Sequence, residues 1–260
     1  HLERTRRTAH DEDWRALERL ALACLAACAA DREENDRALE LLDAFETTPA
    51  GTDLRRECRA VQRVAYVHYY LGNDAEQRSA NQKALDLARR VSDRKLEGLA
   101  LQGLGDSSFA LGDYAAALER YAEALEIHRE LGNLHYEGVL LGNLGTVLHR
   151  RSESEEARRR YEQALEIHRR TGAKPYEATV TFALGTLYFE LGETSDATRL
   201  VVRARELHAS IEGYAEDAAA ARWTLAWIAL ARGEGSTAHD AFAAARERFR
   251  KVDAEEWAEL

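Results

Sequence analysis

Apolar residues recur along the chain three and four places apart, in stretches separated by short polar turns. From residue 94 onward one stripe is Leu101, Leu104, Gly105 and Ser108, the i, i+3, i+4, i+7 spacing of a single helix face. Gly112 follows, suited to the left-handed position after a helix, and Asp113 offers an acceptor to open the next one. Ala117, Tyr121, Ala124 and His128 then form a second stripe that ends near Gly132. Together these predict a helix pair over 93–132.

The same pair returns forty residues on. Tyr121-Ala-Glu-Ala-Leu-Glu-Ile-His-Arg-Glu-Leu-Gly132 reappears as Tyr161-Glu-Gln-Ala-Leu-Glu-Ile-His-Arg-Arg-Thr-Gly172, with eight of twelve positions identical. The offset carries Leu104-Gly105 onto Leu144-Gly145 and Leu184-Gly185, and Ala84 onto Ala124, Ala164 and Ala204. With one extra residue it reaches Leu225-Ala226, Ala238, Phe242 and Ala245. Gly105 and Ala124 are expected to recur because two helix backbones must approach closely there.

Neither helix of such a pair can bury its apolar face alone, so the units must stack. The expected architecture is all-α: a right-handed α-solenoid of about six helix-turn-helix repeats. Residues 1–11 read as an N-terminal extension and 12–50 as a divergent helix pair. The array proper spans 51–252 in units 51–92, 93–132, 133–172, 173–213 and 214–252, with 253–260 as a tail or capping helix.

Composition narrows the class. Among 260 residues, 45% are hydrophobic and only 2 are proline, too few to punctuate a β fold of this length. A net charge of −10 argues against nucleic acid as the partner. Arginine heavily outnumbers lysine, a bias that reads as bacterial genome composition. Three cysteines, Cys24, Cys28 and Cys58, are too few for a disulfide scaffold, so a cytoplasmic location is expected. Leu25-Ala26-Ala27-Cys28 matches a lipoprotein cleavage pattern, but the preceding residues lack a positive leader and the apolar run is too short for a membrane span. Leu17, Leu20, Cys24 and Cys28 share helical spacing and read instead as a buried stripe, with no membrane partner. Methionine is absent even at position 1, which suggests a processed product or a segment of something longer.

Candidate chemistry is sparse. His128, His168 and His208 share one repeat position, which is Ala88 and Phe249 elsewhere. A position that accepts His, Ala or Phe is a packing position, and stacked equivalents stand too far apart for one metal. No metal or other cofactor is expected. Phosphate-loop, zinc-protease, nucleophile-elbow and calcium-loop motifs are missing, so the chain does not read as an enzyme. Arginines between His149 and Lys174 make a local basic cluster, which Glu153, Glu155, Glu156 and Glu162 are placed to neutralise.

The pattern resembles the tetratricopeptide repeat family, whose signature is a Leu-Gly pair and an aromatic in the first helix, then Ala, aromatic and Ala in the second. Here these are Leu104-Gly105 and Phe109, then Ala117, Tyr121 and Ala124. The period departs from the family's about 34 residues, and the proline that closes its second helix is missing. The longer variety is similar to repeats in kinesin light chains and in large bacterial regulators.

The resemblance implies that first helices line a concave face. There the period defines three columns: Gln62, Gln102, Gly142 and Phe182; Tyr66, Asp106, Thr146 and Thr186; Tyr69, Phe109, His149 and Phe189. In the last unit Trp223 and Trp227 hold the neighbouring positions. Unlike the core columns, these vary along the chain, as a recognition surface would. Tyr69, Phe109 and Phe189 read equally well as groove aromatics or as interhelix packing. Asn143 resembles the asparagine with which some family members hold a peptide backbone. The basic residue with which others clamp a carboxylate is replaced by Gln102, Gly142 and Phe182, which disfavours a C-terminal carboxylate ligand.

The expected function is a scaffold that binds a partner peptide or helix in this groove, as part of a larger cytoplasmic bacterial regulatory protein. A sensor that takes a small-molecule ligand or signalling peptide is the alternative. A third reading is self-association through the end carrying Trp223, Trp227 and Trp257.

Overall fold

A computed structural model of the chain describes residues 2–251, with side chains over 14–247. Among the described residues there are twelve helices and no strand: α1 (Leu2–Ala30), α2 (Asn35–Thr47), α3 (Leu54–Tyr70), α4 (Asp74–Arg90), α5 (Arg94–Ala110), α6 (Tyr114–Glu130), α7 (Leu134–Arg150), α8 (Ser154–Thr171), α9 (Lys174–Glu190), α10 (Thr194–Ala209), α11 (Ala215–Ala231) and α12 (Gly235–Lys251). They form an all-α solenoid of helix-pair repeats. The tail at 253–260, with Trp257, lies outside the described residues.

The chain divides into two compact units at Gly132. In the first, α1 pairs with α2, α3 with α4 and α5 with α6, while first helices also meet one another, α1 with α3 and α3 with α5. The second repeats this with the pairs α7–α8, α9–α10 and α11–α12, and with α9 touching both α7 and α11.

Turn chemistry sets the boundaries. The Asp113 side chain accepts from Ala116 N at 3.1 Å and Asp53 from Arg55 N at 3.0 Å, each relieving an amide that the helix leaves unpaired. Gly112 closes α5 at φ +76°, whereas Ser152 takes the equivalent place after α7 at φ +62°. Serine carries a Cβ penalty there that glycine avoids.

In the pairs α5–α6 and α7–α8 the close approach is of a ring onto a bare Cα, whereas in α9–α10 a Cβ on Gly185 would lie 2.8 Å from a Val201 methyl and 3.2 Å from the Val201 backbone nitrogen. A Cβ on Gly105 would lie 2.5 Å from the Tyr121 ring, and one on Gly145 2.7 Å from that of Tyr161. Gly98 and Gly138 similarly receive the imidazoles of His128 and His168. Ala117, Tyr121, Ala124 and His128 are all buried, as their spacing predicts.

The expected stripe on α1 is displaced. Leu17 and Cys28 are exposed and Cys24 is half-buried, while Ala16, Arg19, Ala23, Ala26, Ala27 and Ala30 face the core. Alanine is the smaller residue and fits where α1 lies against α2 and α3, leaving the larger side chains outside. The exception is Arg19, 4% exposed, whose guanidinium reaches Glu57 on α3 at 3.0 Å and stacks 3.7 Å over the Phe45 ring of α2. It also donates to the carbonyls of Phe45 and Thr48.

A related ion pair recurs across the turns between successive pairs. Arg89 meets Glu97 at 3.0 Å, and eighty residues later Arg169 meets Glu177 at 3.4 Å. Arginine near the end of one helix and glutamate in the first turn of the next also complement both helix dipoles.

Candidate functional site

The first helices α3, α5, α7 and α9 each carry three of the column residues, and α11 carries Trp223 and Trp227. In the first unit these come from α3 and α5. Gln62 spends its amide on the Leu96 carbonyl at 3.0 Å, which ties α3 to α5. Gln102, one repeat on, has a buried Oε1 with no hydrogen-bond partner among the described residues.

Second-column residues meet the paired helix fifteen positions later. Asp106 accepts from the Tyr121 hydroxyl at 2.7 Å, and Thr146 from that of Tyr161 at 3.2 Å. In the last repeat the Trp227 ring stands 5.4 Å from Phe242, edge to face. Thr186 instead turns back to the Phe182 carbonyl of its own helix. Tyr66 points the other way, donating to Asp31 at the end of α1 at 2.5 Å. Burial pushes the Asp106 carboxyl up to about 6, against the opposing effect of the Tyr121 hydrogen bond.

Third-column residues differ most. Tyr69 is 57% exposed and touches Tyr70 edge to face at 5.6 Å, while Tyr70 stacks obliquely on Tyr66 at 4.8 Å. Phe109 is half-buried, its ring 5.7 Å from Tyr114. In the second unit His149 reaches Glu190 at 2.8 Å. Phe182 and Phe189 pack against the cluster of Ala197, Val201, Ala221 and Ile228. Trp223 packs on Ala219 and Ala245 and meets Phe242 of α12 at 4.8 Å. Trp227 remains 47% exposed. Asn143 and Thr146 are half-buried on α7. The two units thus differ: the first gathers exposed tyrosines and carboxylates, while three of the second unit's aromatics serve packing.

Sequence spacing missed Tyr70 and Asp31. Tyr70 falls outside the three columns because it follows the last core position of α3. Asp31 belongs to a repeat whose divergence removed the forty-residue register.

The remaining chemistry-bearing groups are structural. His128, His168 and His208 are buried, and burial holds each imidazole below its usual range. Cys58 donates to the Ala84 carbonyl at 3.3 Å, and burial raises its thiol to about 11. The basic cluster is internally paired: Arg158 with Glu155 at 2.7 Å, Arg160 with Glu156 at 2.8 Å and Arg151 with Glu153 at 2.7 Å. Among the described residues no group of His, Cys, Asp and Glu is placed to hold a metal, and no helix is long and apolar enough to cross a membrane.

The tetratricopeptide repeat model matches residues 57–130 and 136–210. No curated protein matches the sequence. Among solved structures, the chain is similar to apo RapI, with 16% identity over 94% of this chain and 96% of that one at a TM-score of 0.75. A Rap protein in complex with competence and sporulation factor is 16% identical over 94% and 72%, at 0.70. BtubC (BKLC) from P. vanneervenii is 20% identical over 92% of both chains, at 0.68. At these identities the likeness is one of fold.

Proposed function

Because this chain belongs to the tetratricopeptide repeat family, we propose that it is a non-catalytic binding module whose first-helix face holds a peptide segment of a protein partner. The observation that carries this is the contrast between columns. Core positions keep Ala, Leu and Gly from repeat to repeat, whereas Tyr66, Tyr69, Asp106 and Phe109 change from one repeat to the next and lie at the surface of the first unit. Half-exposed tyrosines beside acceptors offer contact area at small entropic cost, the usual make-up of a peptide hot spot. The Rap protein crystallised with competence and sporulation factor supports the reading by fold alone.

A signalling peptide is the form of ligand this reading favours, within a cytoplasmic regulatory protein. The acceptor-rich face gives no counter-charge for a C-terminal carboxylate, so an internal peptide segment is the expected ligand. The test is selection of binders from a displayed random-peptide library. Selected peptides should lose at least tenfold in affinity for Tyr69→Ala/Phe109→Ala while the circular dichroism spectrum stays unchanged. Equal affinity for wild type and variant, or a failure to select any binder, would overturn the reading.

A further inference from the structure

We infer that the outer face of α1 is a contact between two copies of this chain, which pair antiparallel about a twofold axis at Ala21.

Packing against α2 and α3 uses the alanines of α1 and Arg19, and leaves larger side chains facing outward. Trp14 is 65% exposed, Leu17 42% and Leu25 55%, and Ala21 and Cys28 are exposed with them. At about 3.6 residues per turn these five fall within about a quarter of the helix circumference, opposite Ala16, Ala23 and Ala30. Among residues 14–28 the only charged side chains are Arg15, Glu18 and the buried Arg19. The exposed positions of α4, by contrast, include Glu76, Arg78, Lys83 and Asp86. A contiguous apolar strip left open on a water-soluble fold marks an interaction surface.

The spacing selects the occupant. Trp14, Leu17, Ala21, Leu25 and Cys28 stand three, four, four and three residues apart, intervals that read the same in both directions. A second α1 laid antiparallel, Ala21 on Ala21, sets Leu17 beside Leu25 of the second copy and Trp14 beside its Cys28, each contact made twice. That is the self-complementarity a twofold interface requires, and an unrelated partner requires none. Alanine at the axis lets the helices come close, and sulfur against an aromatic ring is favourable in itself. Level with Arg15 and Glu18 stand Ala27 and Cys24 of the second copy, so the strip opposes no like charges. With its flanking Arg15 and Glu18 the strip offers roughly 600 Å² per copy, so a pair removes about 1,200 Å² from water, enough for a specific dimer.

The experiment is light scattering of the whole chain across a range of micromolar concentrations. Wild type should show about twice the 29.2 kDa of one chain, tending to a single mass on dilution. Because the contact is apolar, added salt should not dissociate it. Leu17→Glu and, separately, Leu25→Lys should each weaken pairing at least a hundredfold while the circular dichroism spectrum stays unchanged, since both side chains are exposed. Mixing the two variants should restore the double mass, because the new carboxylate then meets the new ammonium across the axis. A single mass for wild type at every concentration, or a double mass that survives both substitutions, would overturn this contact. Loss of pairing in each variant without recovery in the mixture would overturn the antiparallel arrangement about Ala21.

Discussion

The Tyr121 hydroxyl donates to Asp106 at 2.7 Å, linking the second helix of its pair to the exposed face of the first. The same fifteen-residue relationship joins Tyr161 to Thr146. One repeat therefore places a half-buried carboxylate where its neighbour places a neutral hydroxyl. The neutral version satisfies the tyrosine at no electrostatic cost, which makes the charged one a departure with consequences for stability.

Asp106→Asn should stabilise the fold at neutral pH. The folded carboxyl titrates near 6, well above its ordinary 3.8, so the fold takes up a proton before the unfolded chain does. Stability from this group is full below the unfolded value and is lost as pH rises through about 6. Each pKa unit is ~1.4 kcal/mol, and a setting partly open to water reduces the effect, so a gain of about 1–2 kcal/mol is expected at pH 7.5 and almost none at pH 3.5. Urea unfolding at both values checks this; a loss of stability at pH 7.5 would contradict it.

The buried histidines act in the opposite sense. Burial lowers the folded values of His128, His168 and His208 below the ordinary 6.5. Their stability is full above the unfolded value and declines as pH falls from there through the folded values. His135 and Glu177 act on His168, Lys95 on His128 and Asp217 on His208, so the three do not titrate alike. Replacing all three by Gln should lower stability at pH 7.5 and flatten the decline below pH 6.5. Parallel curves for wild type and variant would place the acid sensitivity elsewhere.

Gly105 and Gly145 are each a seat for a tyrosine ring. Gly145→Ala brings a Cβ to within 2.7 Å of Tyr161 and should destabilise by about 1–3 kcal/mol. Three residues earlier, a Cβ on Gly142 meets only the Val180 methyl at 3.2 Å. That substitution should be neutral or gain up to ~1 kcal/mol of helix propensity. Thermal melts of the two variants side by side test the distinction.

Much of this was legible in the sequence and some was not. The forty-residue period marks the helix pairs, the left-handed turn at Gly112, the Asp113 cap and the buried Ala117, Tyr121, Ala124 and His128, because these follow from local spacing. It cannot show that Gly105 seats a ring, since nothing in a spacing says which partner fills the gap. The α1 stripe was misplaced because Leu17 and Cys28 are the more hydrophobic residues, whereas tight packing selected alanine. Phe182 and Phe189 fall in the expected columns, yet their rings turn toward α10 and α11 to fill the core there. Rotamer choice of that kind depends on neighbours a repeat apart.

Arg19 was invisible for the same reason, since it lies thirty-eight residues from Glu57 in the most divergent pair. Removing one member of a buried pair leaves an uncompensated charge, so Arg19→Ala should cost about 3–5 kcal/mol. Arg19→Met/Glu57→Met should recover most of that loss, because apolar replacements of similar size need no partner. A double variant as unstable as the single one would show that the carbonyls of Phe45 and Thr48, not Glu57, set the cost.

Hydrogen–deuterium exchange of the chain with and without a selected peptide addresses the binding face most directly. Protection is expected in α3 and α5 of the first unit, around Tyr66, Tyr69, Asp106 and Phe109, and should disappear in Tyr69→Ala/Phe109→Ala. Protection confined to α4 and α6, with α3 and α5 unchanged, would contradict recognition on the first-helix face.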